Sequence, residues 1–224
     1  AGADLDLTAS AVIVAAGSAK RTLGIPGEAE FEGRGVSHCA SCDGPLMRGK
    51  EACIIGGGDS ALDEALALAP HASRVTIIHR GPRLKASAAL QARAREASNI
   101  EIRLETVVEA IRGENGVTAL AVRDLSTGQT SEIPCHGVFI YVGLEPNTAF
   151  LGETVALAAD GRIVVDLDMQ TSVPCIFAAG DVRARSVAHL AASAGDGVTA
   201  AISAIRYLAA EDIDEPLKHH ALAR

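Results

Sequence analysis

Apolar and polar positions along the chain follow two different periods. Short apolar runs bounded by glycine or charge occur at 10–17 ("SAVIVAAG"), 52–55 ("ACII") and 74–80 ("RVTIIHR"), and their lengths suit buried strands. An amphipathic stretch over 60–68 separates the second run from the third, so 52–80 predicts a β-α-β unit. A second helix is expected over about 87–98. The β-rich segments at 100–104, 117–123 and 137–142 are separated by "RGENG" and "LSTGQ" turns, and they predict a small antiparallel excursion attached to a parallel sheet. "RIVVD" at 162–166 and "CIFAAGD" at 175–181 add two apolar segments, followed by an alanine-rich helical stretch over about 187–210. The fold class is α/β. Two runs read as linkers, "GIPGEAEFEGRG" at 24–35 and "GLEPNT" at 143–148, and they enclose a central block of domain size.

Composition narrows the classes. With 224 residues, 48% hydrophobic and 21% charged, the chain reads as a soluble globular protein. No apolar run approaches the roughly 20 residues of a spanning helix, so no membrane span is expected. A formal net charge of -8 argues against wholesale attraction to nucleic acid or anionic lipid, and any phosphate recognition should be local. Five cysteines with a single close pair, and no signal peptide, make a reducing cytoplasm the expected compartment. The first residue is not methionine, and a polar lead-in runs directly into a buried strand, so the chain is expected to begin in mid-domain.

After "ACII" comes "GGGDSA" at 56–61, opening a helix, which fits the dinucleotide-binding pattern with Ala61 as its last small residue. Gly56 would permit the tight turn, and Gly58 would let the backbone approach a pyrophosphate seated on the helix N-terminus. About twenty residues on, where an enzyme using NAD presents a carboxylate, "HRGPRLK" presents cations. His79, Arg80, Arg83 and Lys85 would surround a 2′-phosphate, and NADPH is the expected nicotinamide.

"HCASCDG" at 38–44 holds the close cysteine pair. A structural zinc site needs four ligands, usually from a second CxxC or a histidine pair, and neither is present, so no metal is expected. Cys53, Cys135 and Cys175 stand alone in apolar segments and read as small core residues. For Cys39 and Cys42 the redox reading is the stronger, because a two-residue spacer allows a small-ring disulfide and rapid thiol exchange. Asp43 would exchange the proton each step requires. Hydride does not pass to a disulfide unaided, so a flavin is implied beside the nicotinamide.

These motifs together resemble the low-molecular-weight thioredoxin reductases, NADPH-dependent flavoprotein disulfide reductases. The likeness runs through "AVIVAAGS", "LGIPGE", "GRGVSHCASCDG", "GGGDSALDEAL", "VTIIHR", "GVFIYVGLEPNT" and "DMQTSVPCIFAAGDVR", in the family order and spacing. It implies a flavoprotein fold of two dinucleotide-binding domains: an NADPH-binding domain carrying the CxxC at 22–147, inserted in an FAD-binding domain formed by 1–21 and 148–224. It implies that Cys42 lies nearest the flavin, that Cys39 attacks the disulfide of the protein substrate, and that Asp43 is the general acid. Gly56, Gly58, Asp59, Ser60 and Ala61 would hold the NADPH pyrophosphate, and Arg80 and Lys85 its 2′-phosphate. Gly180 and Asp181 would lie at the flavin's ribityl and pyrophosphate region, close to the turn containing Ala16 and Gly17. The implied partner is thioredoxin or a thioredoxin-like protein, the implied assembly of the full-length protein a homodimer, and the two linkers would serve as hinges between rotating domains.

The sequence departs from that pattern in three places. Gly81 stands where a second arginine is usual, with Arg83 as the nearest replacement. Ala188 and His189 replace an Arg-Gln pair near the flavin. The N-terminal β-α-β unit with its own glycine-rich turn is missing from the chain, so this polypeptide by itself is expected to bind FAD poorly and to turn over little. Two other readings stand beside the reductase. One is a same-fold reductase or dithiol oxidase with a different electron donor or acceptor, such as the reductase of a peroxiredoxin system. The other is a non-catalytic nucleotide-binding fragment.

Overall fold

The buried runs become strands and the amphipathic runs helices in a computed structural model that describes residues 7–214; residues 1–6, most of the polar lead-in, lie outside the described residues. The strands are β1 (Val12–Val14), β2 (Ser18–Lys20), β3 (Val36–Ser37), β4 (Glu51–Ile55), β5 (Arg74–Ile78) and β6 (Ile100–Arg103). They continue with β7 (Thr106–Gly113), β8 (Val117–Asp124), β9 (Thr130–Pro134), β10 (Gly137–Ile140), β11 (Leu144–Pro146) and β12 (Ile176–Ala178). The helices are α1 (Ala40–Asp43), α2 (Asp59–Leu68), α3 (Ala88–Glu96) and α4 (Leu190–Asp214). The chain divides into two compact units, Lys20–Gly143 and a second made of Ala1–Ala19 with Leu144–Arg224.

In the Lys20–Gly143 unit a five-stranded parallel sheet runs in the order β3-β10-β4-β5-β6. Its central strands are apolar on both faces, as a sheet covered on both sides demands. Alternate residues serve two cores. Ala52, Ile54, Val75, Ile77 and Phe139 pack with Leu62, Ala65 and Leu68 of α2 and Ala94 of α3. Cys53, Ile55, Ile78, Val138 and Ile140 face Ile111, Leu120, Val122 and Ile133, which belong to an antiparallel sheet ordered β7-β8-β9. That antiparallel sheet differs in composition from the sequence expectation. The segments at 100–104 and 137–142 supply β6 and β10 of the parallel sheet, and the antiparallel layer recruits β7 and β9 around β8. The alternation of β7 is broken by register shifts between Val108 and Ala110 and between Arg112 and Gly113, which hides it from a period-2 reading.

The run at 24–35 is not a free linker. Phe31 is 2% exposed within the second of these cores, and the buried carboxylate of Glu28 accepts the Leu23 and Gly24 N–H groups at 2.9 and 2.7 Å. Its glycines serve tight turns, such as Gly27 at φ +86°, where a Cβ would collide with the Ile111 carbonyl.

In the other unit β1 pairs in parallel with β12, from Val12 opposite Ile176 to Val14 opposite Ala178. Val14, Val155, Ile163, Ala178 and Val182 form one core, and Phe177 and Ala179 meet Ala200 and Ala204 of α4 in another. The run at 162–166 forms no ladder; Ile163 alone makes bridges, to Leu157 and Arg183, while Val164 lies exposed. Among the described residues no helix is long and apolar enough to cross a membrane.

Candidate functional site

β4 ends at Ile55 and the chain must pass at once from a buried strand into α2. Gly56 makes the passage at φ +150°, where a Cβ would strike the Tyr141 carbonyl and the side chain of the fully buried Ala61. Gly58 caps α2 in an extended conformation with no side-chain capping bond, and nothing lies within 4 Å of the place its Cβ would occupy. The first turn of a ten-residue helix is thus open in front of a glycine, the cradle a pyrophosphate fits. Asp59 and Ser60 are exposed at that turn. The Asp59 carboxylate also accepts the Ser87 N–H at 2.6 Å, and the Gly57 carbonyl accepts the N–H groups of Lys85 and Ala86 at 2.7 and 3.0 Å. The glycine turn and the basic loop are therefore one hydrogen-bonded body.

The structure separates the four predicted basic residues. Arg80, Arg83 and Lys85 are exposed, whereas His79 is 9% exposed, and its ring fills the space that a side chain on Gly57 or Gly81 would need. Its Nε2 is buried without a hydrogen-bond partner. Burial first, then Lys85, lowers its pKa below 6.5, against a weaker opposite pull from the Arg83 backbone. His79 is a neutral spacer beneath the turn, and the other three basic residues stay exposed on the loop.

The cysteine pair forms a disulfide, with Cα atoms 5.3 Å apart. Cys39 is the N-cap of α1, its backbone extended and its Sγ accepting the Cys42 N–H at 3.2 Å. The next two N–H groups are held from outside the helix: that of Ala40 donates to the Tyr141 hydroxyl at 3.0 Å and that of Ser41 to Glu64 Oε2 at 3.0 Å. Burial is the main reason the Tyr141 pKa is raised above its ordinary value, with Glu64 and Asp43 adding to it, so the phenol stays protonated. Glu64 belongs to α2, so the helix that opens at the glycine turn also anchors the helix that carries the cysteines. The Asp43 carboxylate accepts the Ser37 hydroxyl at 2.6 Å, and that same Ser37 oxygen accepts the Cys39 N–H at 3.2 Å. His38 is held by the Ile140 carbonyl at 3.3 Å and faces Glu32 at 3.6 Å. Cys53 and Cys135 are buried thiols of the sheet's second core; their mutual contact, then burial, raises the Cys53 pKa.

Sequence reasoning missed Ser37, Glu64 and Tyr141. A hydroxyl residue two positions before a helix cap is a signal that Ser37 does carry. Glu64 and Tyr141 have none, because only the fold brings them to α1.

In the other unit the strands β1 and β12 end side by side, and Ala16, Gly17, Gly180 and Asp181 follow them. Gly17 at φ +64° has open space at its Cβ position, and the carbonyls of Ala16 and Gly17 accept bonds from Asn147 at 2.8 and 3.0 Å. Gly180 (φ +78°) donates its N–H to the buried Asp196, which is clamped by Arg183 at 2.6 and 2.7 Å. Asp181 accepts the hydroxyls of Ser186 and Ser193 at 3.4 and 3.2 Å. Ala188 stands in the left-handed region at φ +50°, and the His189 ring, exposed, accepts the Ala191 N–H at 3.3 Å.

The profile of the pyridine nucleotide-disulphide oxidoreductase family matches residues 1–197. A thioredoxin reductase of Treponema pallidum is 45% identical over 201 residues, 90% of this chain and 65% of that protein. A component of the alkyl hydroperoxide reductase of Pseudomonas putida is 40% identical over 204 residues, 90% of this chain and 39% of that protein. Among solved structures, a thioredoxin reductase of Lactococcus lactis superposes with a TM-score of 0.82 at 38% identity, covering 89% of this chain and 66% of that one. The chain spans about two thirds of the length of the thioredoxin reductases it matches.

Proposed function

From the premise that this chain belongs to the pyridine nucleotide-disulphide oxidoreductase family, we propose that it is the nucleotide-binding and dithiol-bearing part of a flavin-dependent disulfide reductase. Electrons pass from NADPH to the Cys39–Cys42 disulfide and on to thioredoxin or a thioredoxin-like protein, in the cytoplasm, within a homodimer of the complete protein. The observation that carries this reading is the placement, in one compact unit, of a disulfide and an open glycine turn on the two helices that Glu64 joins.

Gly58 and the first turn of α2 receive the pyrophosphate, with Gly56 shaping the turn and Ala61 supporting it. Asp59 and Ser60 face the ligand from the first turn. Arg80, Arg83 and Lys85 take the 2′-phosphate through charge-assisted hydrogen bonds. In the other unit the open Gly17 turn and Ala16, with Gly180 and Asp181 beside them, fit the flavin's ribityl and pyrophosphate groups, and His189 directly precedes α4 in that unit. The flavin, when bound, supplies the two-electron relay between hydride and dithiol. The chain's own residues supply the rest: Cys39 is the sulfur that attacks the substrate, Cys42 the one that closes the ring again, and Asp43 the proton carrier.

Anaerobic addition of NADPH and then NADH to the flavin-loaded complete protein tests the reading. Bleaching of the flavin by NADPH, with two new thiols on Cys39 and Cys42, is the expected result. No bleaching by either nucleotide would refute NADPH as donor. The match to a component of an alkyl hydroperoxide reductase favours a second reading, in which the acceptor is the disulfide of a peroxidase system. Comparing rates with oxidised thioredoxin and with such an acceptor decides between them.

A further inference from the structure

Ser37 precedes the cysteine helix and its hydroxyl does two things at once. The oxygen accepts the Cys39 N–H at 3.2 Å, and the proton is donated to Asp43 Oδ2 at 2.6 Å. Asp43 follows Cys39 by four residues and donates its own N–H to the Cys39 carbonyl at 3.1 Å, so the carboxylate lies one helical turn from the attacking sulfur's backbone. Without Ser37 that carboxylate, at the end of a four-residue helix, would have several rotamers open to it. With Ser37, the Oδ2 oxygen of that carboxylate is fixed.

We propose that Ser37 is a positioning residue for thiol–disulfide exchange, tying the Asp43 carboxylate to the backbone of Cys39. The inference rests on the disulfide-reductase reading above. In the step it serves, Cys39 Sγ attacks the substrate disulfide, the substrate S–S bond breaks, and the Cys39 proton passes through Asp43 to the departing sulfur. Cys42 Sγ then attacks Cys39 Sγ, breaking the mixed disulfide and releasing the second substrate sulfur, which takes the Cys42 proton. Two electrons leave the dithiol and reduce the substrate disulfide. Ser37 is unchanged throughout.

The test needs no flavin. The chain is reduced with dithiothreitol, freed of reductant, mixed with excess oxidised glutathione and quenched at intervals, and re-formation of the Cys39–Cys42 bond is followed by mass. Expected is a loss of about 10-fold or more in rate for Ser37→Ala, part of the roughly 100- to 10,000-fold that positioned proton transfer contributes, with the rate held within about threefold by Ser37→Thr, which keeps the hydroxyl. Because Ser37 acts through Asp43, the double variant Ser37→Ala/Asp43→Asn should be no slower than Asp43→Asn alone. A merely structural role would not show that non-additivity or the threonine rescue, and thermal melts by circular dichroism check that each variant folds. If the parent chain is fast and Ser37→Ala is equally fast, or the two substitutions add fully, the Ser37 proposal is overturned and the reductase reading stands. If the parent chain itself is no faster than a short dithiol peptide, the reading fails and the proposal with it.

Discussion

Beneath the glycine turn, the ring of His79 occupies the volume that a side chain on Gly57 or Gly81 would need. Gly81 is therefore more than a lost arginine. The buried imidazole and the glycine form a matched pair, and Gly81→Arg is expected to cost roughly 1–3 kcal/mol in stability through overpacking. It should not simply tighten NADPH binding; urea melts followed by circular dichroism, since the chain has no tryptophan, and calorimetric titration with NADPH check the two halves of that expectation. His79 also sets a pH dependence. Its folded pKa lies below the ordinary 6.5 because of burial and then Lys85, so between the two values the unfolded chain holds more protons. Stability is complete above about pH 6.5 and falls as pH drops through the folded value. Histidine resonances titrated by NMR, beside melts at descending pH, measure both; a His79 that titrates at 6.5 or above contradicts it. Nothing in "HRGPRLK" announces which basic residue turns inward, because the inward position is decided by the two glycines that flank the ring in space.

Elements that a single period describes were legible: β4, α2 and β5 follow from the continuous apolar runs and the amphipathic stretch between them, and the glycine turn from its place between strand and helix. β7 was not, since its bulges break the alternation, and 24–35 reads as linker because its buried residues, Phe31 and the charged Glu28, stand among glycines and charges. Helix α4 was legible from its small residues, but what fastens it was not. Arg183 reaches Asp196 with two bonds, both side chains largely buried at 16% and 9% exposure, and the Gly180 N–H joins them. The Arg183 hydrogen bonds are the main cause of the lowered Asp196 pKa. Its stabilising contribution is present above the unfolded carboxylate's value, near 4, and is lost as pH falls through the folded value. Arg183→Ala leaves a buried carboxylate unpaired and should cost roughly 3–5 kcal/mol; a change under about 1 kcal/mol in denaturant melts would show that Asp196 finds another partner.

At the scale of the molecule, each unit has cores of its own. Among the described residues, the two cores around the parallel sheet draw on residues within 20–143, and those around β1 and β12 on the other unit. A polypeptide of residues 20–143 is accordingly expected to fold alone, to form the Cys39–Cys42 disulfide and to melt cooperatively. A non-cooperative melt, or poor dispersion in its NMR spectrum, would show that its cores need the rest of the chain. The chain enters this unit and leaves it at neighbouring points, the Arg21 N–H donating to the Gly143 carbonyl at 3.0 Å. A stretch of polypeptide that starts and finishes in one place is portable in the genetic sense: an ancestral gene gains or sheds it with one insertion or excision and no rerouted backbone. The same closeness lets its ends be bridged by a few residues and the chain reopened at the exposed turn of residues 125–128, giving a permuted unit with an unaltered glycine turn and dithiol.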